Sequence, residues 1–253
     1  MKCVVAVDSF KGSLSSLEAG RAVAEGIYRV FPDAEVVVRP LADGGEGTVE
    51  ALTLGMNGKL ECVTVTGPTG RPVEAVYGII ESSKTAVMEM SAASGITLVS
   101  GEDRNPLHTT TYGVGEMIAD ALRKGCRNFV VGIGGSATND GGVGMLQALG
   151  YGILDAAGNQ VAFGAKGLKD IAAISEEFVI PMLRECTFRV ACDVENPLCG
   201  ERGASAVYAP QKGADPSAIP LMDSWLAHFA EVTRARYEKA DMDRPGTGAA
   251  GGL

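Results

Sequence analysis

The chain has 253 residues, 46% of them hydrophobic and 21% charged, which is ordinary for a globular protein with a sizeable core. Its net charge of −9 argues against a nucleic-acid partner. There is no apolar run of membrane-spanning length, no signal-peptide pattern and no cysteine spacing typical of zinc or redox motifs. We therefore expect a soluble, cytoplasmic protein.

The first predicted unit is a buried strand over residues 2–7, followed by a polar loop and a helix. Ser15 and Glu18 have the spacing of a capping box at the start of that helix. The loop lies at the carboxyl end of a strand, where α/β sheets place their ligands. Lys11 in this loop could neutralise a phosphate or a carboxylate, and the alternative is a solvated surface lysine.

The second unit repeats this design. A strand over residues 35–41 leads into a loop with three glycines and two carboxylates, and a helical stretch follows. Asp43 and Glu46 could bind Mg²⁺ through oxygen, or Glu46 could simply favour the helix N-terminus.

From residue 60 the pattern changes to three strand-like segments, 60–66, 73–80 and 85–90, joined by turn-forming residues. They predict an antiparallel meander and a domain boundary near residue 60. A strongly amphipathic helix opens at about Thr111, and Gly125 is placed to end it.

The most informative stretch is residues 132–150. An apolar run at 129–131 predicts a strand buried on both faces, and a loop rich in glycine, hydroxyl and amide groups leads to a short helix. Its glycines would expose backbone N–H groups that suit phosphate. Asn139 and Asp140 could hold a metal or orient a substrate hydroxyl. The alternative is a structural turn in which Asp140 caps the helix, since the loop matches neither Walker A nor the dinucleotide fingerprint.

Residues 151–161 predict a hairpin, and residues 187–192 predict another buried strand. Asp193 follows that strand, where a catalytic carboxylate could reach a bound substrate. Lys212 lies in a later glycine-bearing segment. Residues 245–253 look like one more glycine-rich loop before a helix, so we expect the chain to be a piece of a longer protein.

These segments together resemble the bacterial glycerate kinases of the two-domain type (type 1). The resemblance rests on motifs that stand in the same order along the whole chain, namely DSFKGS (8–13), ADGGEGT (42–48), GIGGSATNDGG (132–142), CDVENPL (192–198), APQKGA (209–214) and PGTGAAGG (245–252).

The resemblance implies transfer of the ATP γ-phosphoryl group to D-glycerate by a monomer or homodimer, with no nucleic-acid or membrane partner. It implies two α/β lobes, one flavodoxin-like and one restriction-endonuclease-like, with the active site in the cleft between them. Residues 1–60 would form the first lobe, completed by a C-terminal segment, and residues 61–253 the second.

Phosphoryl transfer needs positioned donors, cations and carboxylates rather than covalent chemistry, and this assigns the candidate residues. The catalytic candidates are Asp193 as base, Lys11, and Asp8 as the next candidate base. The candidates for binding substrate or phosphate are Ser9, Ser13, Gly134, Gly135, Ser136, Thr138, Asn139, Gly141 and Lys212. The candidates for Mg²⁺ or for contacts to glycerate are Asp43, Glu46 and Asp140.

Two other functions compete with this one. A non-catalytic phosphometabolite-binding protein could use the same loops, but the abundance of loop carboxylates argues against it. A nucleotide-dependent oxidoreductase would normally show GxGxxG after the first strand, and residues 8–13 contain a single glycine.

Overall fold

The computed structural model describes residues 1–8, 10, 13–41 and 47–253. The candidates Ser9, Lys11, Asp43 and Glu46 lie outside these residues. The strands within them are β1 (Lys2–Val7), β2 (Glu35–Pro40), β3 (Lys59–Thr66), β4 (Pro72–Ile80), β5 (Thr85–Glu89), β6 (Asn128–Gly132), β7 (Gly152–Leu154), β8 (Ala173–Ser175) and β9 (Thr187–Ala191). The α-helices are α1 (Ser16–Val30), α2 (Thr48–Gly55), α3 (Ser91–Ser94), α4 (Tyr112–Arg123), α5 (Val143–Ala148), α6 (Ala165–Leu168), α7 (Ala204–Tyr208) and α8 (Ile219–Arg236).

The strands form one large sheet and two small ones. The large sheet has the order β3-β4-β5-β6-β9, in which β3, β4 and β5 are antiparallel and β5, β6 and β9 are parallel. The predicted meander and the α/β class are therefore confirmed. β1 and β2 form a parallel pair of their own, and β7 and β8 an antiparallel pair. Because β5, β6 and β9 run parallel, the loops that follow them meet at one edge of the sheet.

The main core lies between the large sheet and α4. The amphipathic pattern that predicted this helix is confirmed, since Val114, Met117 and Leu122 are almost completely buried in it. A polar network fixes the same helix on the sheet: the hydroxyl of Tyr77 on β4 donates to Asp120 over 2.6 Å, and Asp120 also pairs with Lys124 at 2.9 Å. Burial raises the pKa of the Tyr77 hydroxyl.

The capping box of α1 is confirmed. The backbone N–H of Glu18 donates to the Ser15 hydroxyl over 3.2 Å, and the Ser15 N–H donates to the Glu18 carboxylate over 2.8 Å. The reciprocal pair satisfies two donors that the first turn of a helix otherwise leaves unpaired.

Two strands that were predicted to be buried are largely exposed. In β9 the side chains of Phe188 and Val190 are 42% and 55% exposed, and in β1 Val4 is 63% exposed. β9 is an edge strand that pairs with β6 within the described chain. An apolar run indicates a strand but does not distinguish an edge from the centre of a sheet, which is why the prediction of burial was wrong.

The predicted hairpin at residues 151–161 is confirmed, since Leu154 pairs antiparallel with Gln160 and the Val161 N–H donates to the Ile153 carbonyl over 2.9 Å. The chain reverses at residues 155–159, where the Asp155 N–H donates to the Asn159 carbonyl over 2.8 Å. β7 also pairs with β8. Within the described residues, no helix has the length and apolar character needed to cross a bilayer.

Candidate active site

A cavity of about 320 Å³ lies at the carboxyl ends of β6 and β9. Gly132 and Ala191, the last residues of these two strands, are register partners, so the loops after them diverge from one point. The cavity is lined by Ile96, Ile133, Gly134, Gly135, Ser136, Ala191, Cys192, Asp193, Val194, Tyr208, Gln211, Lys212, Ala249 and Ala250. Five of the predicted site residues thus come together here: Gly134, Gly135, Ser136, Asp193 and Lys212.

The first part of the glycine-rich loop faces this cavity. Gly134 and Gly135 are exposed, and Ser136 is 7% exposed. The loop is held by the segment after α3, because the Ile96 N–H donates to the Gly135 carbonyl over 2.8 Å. Gly135 has a φ of +70°, a backbone conformation that glycine adopts without strain. The loop is therefore a fixed lining of the cavity.

The second part of the loop is buried beneath this lining. Thr138 and Asn139 are 0% exposed and are not among the described residues that line the cavity. The Asn139 amide donates to the Ser205 hydroxyl on α7 over 3.0 Å. The Asn139 Nδ2 is thus bonded to α7, whereas the Thr138 hydroxyl and the Asn139 Oδ1 are buried without a hydrogen-bond partner among the described residues. The predicted role of both residues in ligand binding stays a prediction.

Asp140 holds the fold together at this point. Its Oδ2 accepts hydrogen bonds from the backbone N–H and the hydroxyl of Thr111, both at 2.9 Å, and from the Gly144 N–H at 3.3 Å. Its Oδ1 accepts from the Gly142 N–H at 3.2 Å. Burial raises the pKa of Asp140, and these hydrogen bonds act in the opposite direction.

This arrangement corrects two expectations from the sequence. In the first turn of α5 the Gly144 N–H donates to the Asp140 carboxylate, the Val143 N–H to the Asp140 carbonyl and the Met145 N–H to the Thr111 hydroxyl, so these donors are not open to a phosphate. With four donors on its two oxygens, Asp140 is also occupied structurally and not free to be a metal ligand. The structural alternative for Asp140, a carboxylate that caps the turn, fits the contacts.

Lys212 is the buried basic side chain of the site. It ends a short 3₁₀ turn after α7 and is 1% exposed. Its Nζ donates to the carbonyl oxygen of Thr138 over 2.6 Å. Burial lowers the pKa of Lys212 to about 7, and the charge of Asp140 opposes this shift. Lys212 therefore joins the wall of the cavity to the buried half of the glycine-rich loop.

Asp193 is exposed and lines the same cavity, directly after the carboxyl end of β9. Tyr208 on α7 lies nearby and donates its hydroxyl to Asn196 over 2.7 Å. Burial raises the pKa of Tyr208, and the negative charges of Cys192 and Asp193 raise it further. Asp193 is thus the solvent-accessible carboxylate among the described residues that line the cavity.

Asp8 and Ser13 are not brought to this cavity. Asp8 lines a separate cavity of about 20 Å³ beside the start of α1. The Ser13 N–H donates to the Phe10 carbonyl over 2.8 Å within its own turn. Gly141 has a structural role, because a Cβ at its position would lie 3.0 Å from the Phe229 ring.

The last residues of the chain form a part of the site that the sequence did not predict. Ala249 and Ala250 line the cavity, and the Gly251 carbonyl accepts a hydrogen bond of 2.9 Å from the Gly141 N–H. Tyr208 and Gln211 were also missed as lining residues. Their motifs gave a signal, since the segments 209–214 and 245–252 both belong to the family resemblance.

A second cavity, of about 590 Å³, adjoins the first and shares Ile96, Gly134 and Gly135 with it. Glu50, Glu74 and Glu89 line it, and Glu89 accepts a hydrogen bond of 3.2 Å from the Val49 N–H. Because the two cavities share Gly134 and Gly135, these residues lie where two bound molecules would meet.

The described residues do not supply a metal site. No group of three or more His, Cys, Asp or Glu side chains in this part of the chain is arranged to hold a metal ion. Asp140 is occupied by its four donors, and Asp193 is a single carboxylate. The described residues therefore supply no all-protein cage for Mg²⁺, whereas an ion carried by ATP phosphates would need only one or two carboxylates.

Comparison with known proteins gives a consistent family. Residues 3–253 match the model of the glycerate kinase family. The chain is 51% identical over its whole length to a glycerate kinase of Haemophilus influenzae and covers 67% of that protein. It is 49% identical to glycerate 2-kinase of Escherichia coli and covers 66% of it. The chain thus spans about two thirds of the length of the curated relatives it matches.

A solved structure agrees with this result. The fold superposes on a crystal structure of a candidate glycerate kinase 2 from Salmonella typhimurium LT2 with a TM-score of 0.97 and 47% sequence identity. All of this chain and 68% of that chain are covered. The order of motifs, the fold and the match along the whole chain lead to one conclusion: the chain belongs to the glycerate kinase family.

Proposed function

We propose that the protein is an ATP-dependent glycerate kinase, which transfers the γ-phosphoryl group of ATP to a hydroxyl of D-glycerate. One observation carries this proposal beyond family membership. The structure brings the Gly134–Gly135 backbone, an accessible carboxylate and a buried lysine to one cavity of about 320 Å³. A phosphoryl transfer needs these three kinds of group: backbone donors, a base and a cation.

In this proposal each lining group has its own task. Asp193 accepts the proton of the attacking glycerate hydroxyl, whose oxygen then forms a bond to the γ-phosphorus while the bond to ADP breaks. The exposed backbone at Gly134 and Gly135 and the hydroxyl of Ser136 bind anionic oxygens. Lys212 adds positive charge from the buried side of the cavity. Gly141 holds the loop in shape, and Thr138 and Asn139 remain candidates for substrate contacts.

The adjoining cavities suggest where the two substrates lie. The cavity with Lys212 suits anionic groups, namely the carboxylate of glycerate and the transferred phosphoryl group. The wall of the larger cavity contains three carboxylates, those of Glu50, Glu74 and Glu89. These carboxylates would repel an anion, but they can accept hydrogen bonds from the hydroxyl and amino groups of a nucleoside. The shared residues Gly134 and Gly135 would then lie beside the phosphoryl group in transit.

Residues outside the described part of the chain keep their predicted roles as proposals. These are Lys11 and Ser9 toward anionic oxygens, and Asp43 and Glu46 toward Mg²⁺. The reaction is proposed to take place in the cytoplasm, where ATP is available, in a monomer or homodimer.

The division into lobes also remains a proposal, with residues 1–60 in one lobe and residues 61–253 in the other. The separate sheet formed by β1 and β2 supports it. The position of helix α2 counts against a boundary at residue 60, because Val49 packs with Ile80 and Val87 of the large sheet.

The test is ADP release from ATP in the presence of D-glycerate, L-glycerate, glycolate or lactate. We expect release that depends on D-glycerate, with one phosphoglycerate formed for each ADP. The name of the Escherichia coli relative suggests that the 2-hydroxyl is the acceptor, so enolase should consume the product without a mutase. Binding of D-glycerate and ATP without ADP release would instead support the phosphometabolite-binding alternative.

A further inference from the structure

We propose that an anion entering the Lys212 cavity binds together with a proton, which the side chain of Lys212 takes up from solvent. Lys212 is then a neutral amine before the anion arrives and an ammonium afterwards. This inference rests on the proposed function, because it specifies how the same cavity gains the positive charge that an anionic substrate needs.

The surroundings of Lys212 favour the neutral form when no anion is near. An ammonium group has three N–H donors. Among the described residues, the Thr138 carbonyl is the acceptor within hydrogen-bond distance of Nζ, and the side chain is 1% exposed. A buried ammonium with one acceptor carries a large desolvation cost. A neutral amine needs to donate only that one hydrogen bond.

The charged groups around Lys212 do not remove this cost. They are Asp140 beneath the loop, Tyr208 on α7, Cys192 and Asp193 after β9, and Arg104, which lies against Gly213. Of these, Asp140 is the one whose charge raises the proton affinity of Lys212, and burial outweighs it, so the pKa of Lys212 falls to about 7. Asp140 stabilises the ammonium form only weakly, because its oxygens already accept hydrogen bonds from four other donors.

An anion in the cavity changes the balance. Its negative charge beside Nζ favours the ammonium form, and its oxygens accept the N–H donors that lack partners. In the overall step the neutral amine takes up a proton from solvent and forms an ammonium–anion pair with the bound anion. Because binding then consumes a proton, the dissociation constant should rise about tenfold for each pH unit above the pKa of the free site.

The test is calorimetric titration of the protein with sulfate and, separately, with D-glycerate, neither of which changes its protonation between pH 7 and 9. At pH 8, repeating each titration in buffers of different ionisation enthalpy gives the number of protons taken up. We expect roughly 0.9 proton for each anion bound, as follows from a free-site pKa of about 7. The dissociation constant should rise about fivefold from pH 7 to 8 and about ninefold from pH 8 to 9.

Two variants separate proton uptake from binding itself. Lys212→Met fills a similar volume without a titratable group, so proton uptake should vanish and anion affinity should fall at every pH. Lys212→Arg keeps a permanent charge, so anion binding should persist with no proton uptake and with little pH dependence. If Lys212→Arg does not fold, Lys212→Met still decides the question.

Uptake below roughly 0.2 proton in the parent protein, or the same uptake in Lys212→Met, would overturn the inference. So would the failure of both anions to bind. Sulfate binding with proton uptake, without D-glycerate binding, would support proton coupling and count against D-glycerate as the substrate. D-glycerate phosphorylation without proton uptake would keep the proposed function and reject the coupling.

Discussion

The Nζ of Lys212 lies 2.6 Å from the carbonyl oxygen of Thr138. This one hydrogen bond connects the turn after α7 to the buried half of the glycine-rich loop, across 74 positions of sequence. The lysine reaches the cavity from the protein interior, and its surroundings rather than solvent set its charge. The site therefore combines an exposed carboxylate, Asp193, with a lysine that is almost completely buried.

The burial of Lys212 predicts a specific pH dependence of stability. The pKa of Lys212 is about 7 in the folded chain and close to 10.5 when unfolded, so the unfolded chain binds more protons between these values. The free energy of unfolding should therefore rise with pH over that window by up to about 1.4 kcal/mol per pH unit for this group. Below pH 7 the buried Lys212 is an ammonium in the folded chain, and its full desolvation cost lowers the free energy of unfolding.

The measurement is urea unfolding of the parent and of Lys212→Met at several pH values from 7 to 10. Other groups titrate in this window, so the difference between the two proteins is the quantity of interest. The free energy of unfolding of the parent should increase relative to that of Lys212→Met as the pH rises. Parallel curves would show that Lys212 is not held at a lowered pKa.

Asp140→Asn should lower stability strongly. Four donors converge on the carboxylate, and an amide would place N–H donors against them in a buried site. We expect a loss of about 2–5 kcal/mol in the free energy of unfolding. Asp155→Asn is the matched control, because Asp155 also accepts two backbone N–H groups, at Ala157 and Asn159, but is only half-buried, whereas Asp140 is 1% exposed. Equal losses in the two variants would contradict a structural role for Asp140.

The contact between the chain's last residues and the glycine-rich loop can be tested at Gly251. A Cβ there would lie 2.3 Å from the Thr138 carbonyl oxygen. Gly158 has a similar positive φ, 82° against 77°, with no atom near its Cβ position. Both alanine variants carry the strain of a left-handed backbone, about 1–2 kcal/mol, and Gly251→Ala adds a steric clash.

Thermal unfolding and D-glycerate affinity should therefore respond differently to the two alanines. We expect Gly251→Ala to lower the melting temperature more than Gly158→Ala and to weaken D-glycerate binding as well. If the two variants behave alike, the last residues do not support the loop.

The sequence predicted those parts of the fold that depend on periodicity and on turn residues. The amphipathic stretch of α4, the meander of β3 to β5 and the capping box at Ser15 were all confirmed. It also predicted the convergence of Asp193 with the Gly134–Gly135 loop, because both follow parallel strands of one sheet. Asp8 likewise follows a strand, but β1 belongs to a different sheet, so Asp8 lines a different cavity.

Burial within a loop could not be predicted from residue types. Ser136, Thr138, Asn139 and Asp140 look equally suited to a ligand, yet only Ser136 lines the cavity. Asp140 and Asn139 are held from below by Thr111 and Ser205, which are far away in sequence, and the buried Thr138 hydroxyl has no partner among the described residues. A lysine in a polar motif likewise gives no sign that its nitrogen will be buried. Only the tertiary contacts distinguish residues that can contact a substrate from residues that shape the loop.

The most direct test of the account is the kcat for D-glycerate phosphorylation in Asp193→Asn, measured beside Glu195→Gln. Asp193 lines the cavity, while Glu195 is an exposed carboxylate two residues away that is not among the described lining residues. Loss of a general base should lower kcat by about 10²–10⁴ in Asp193→Asn, with an unchanged melting temperature because the side chain is exposed. Glu195→Gln should stay within about twofold of the parent, as a surface substitution away from the site. A kcat for Asp193→Asn within a few-fold of the parent would contradict the assignment of this cavity as the centre of phosphoryl transfer with Asp193 as its base.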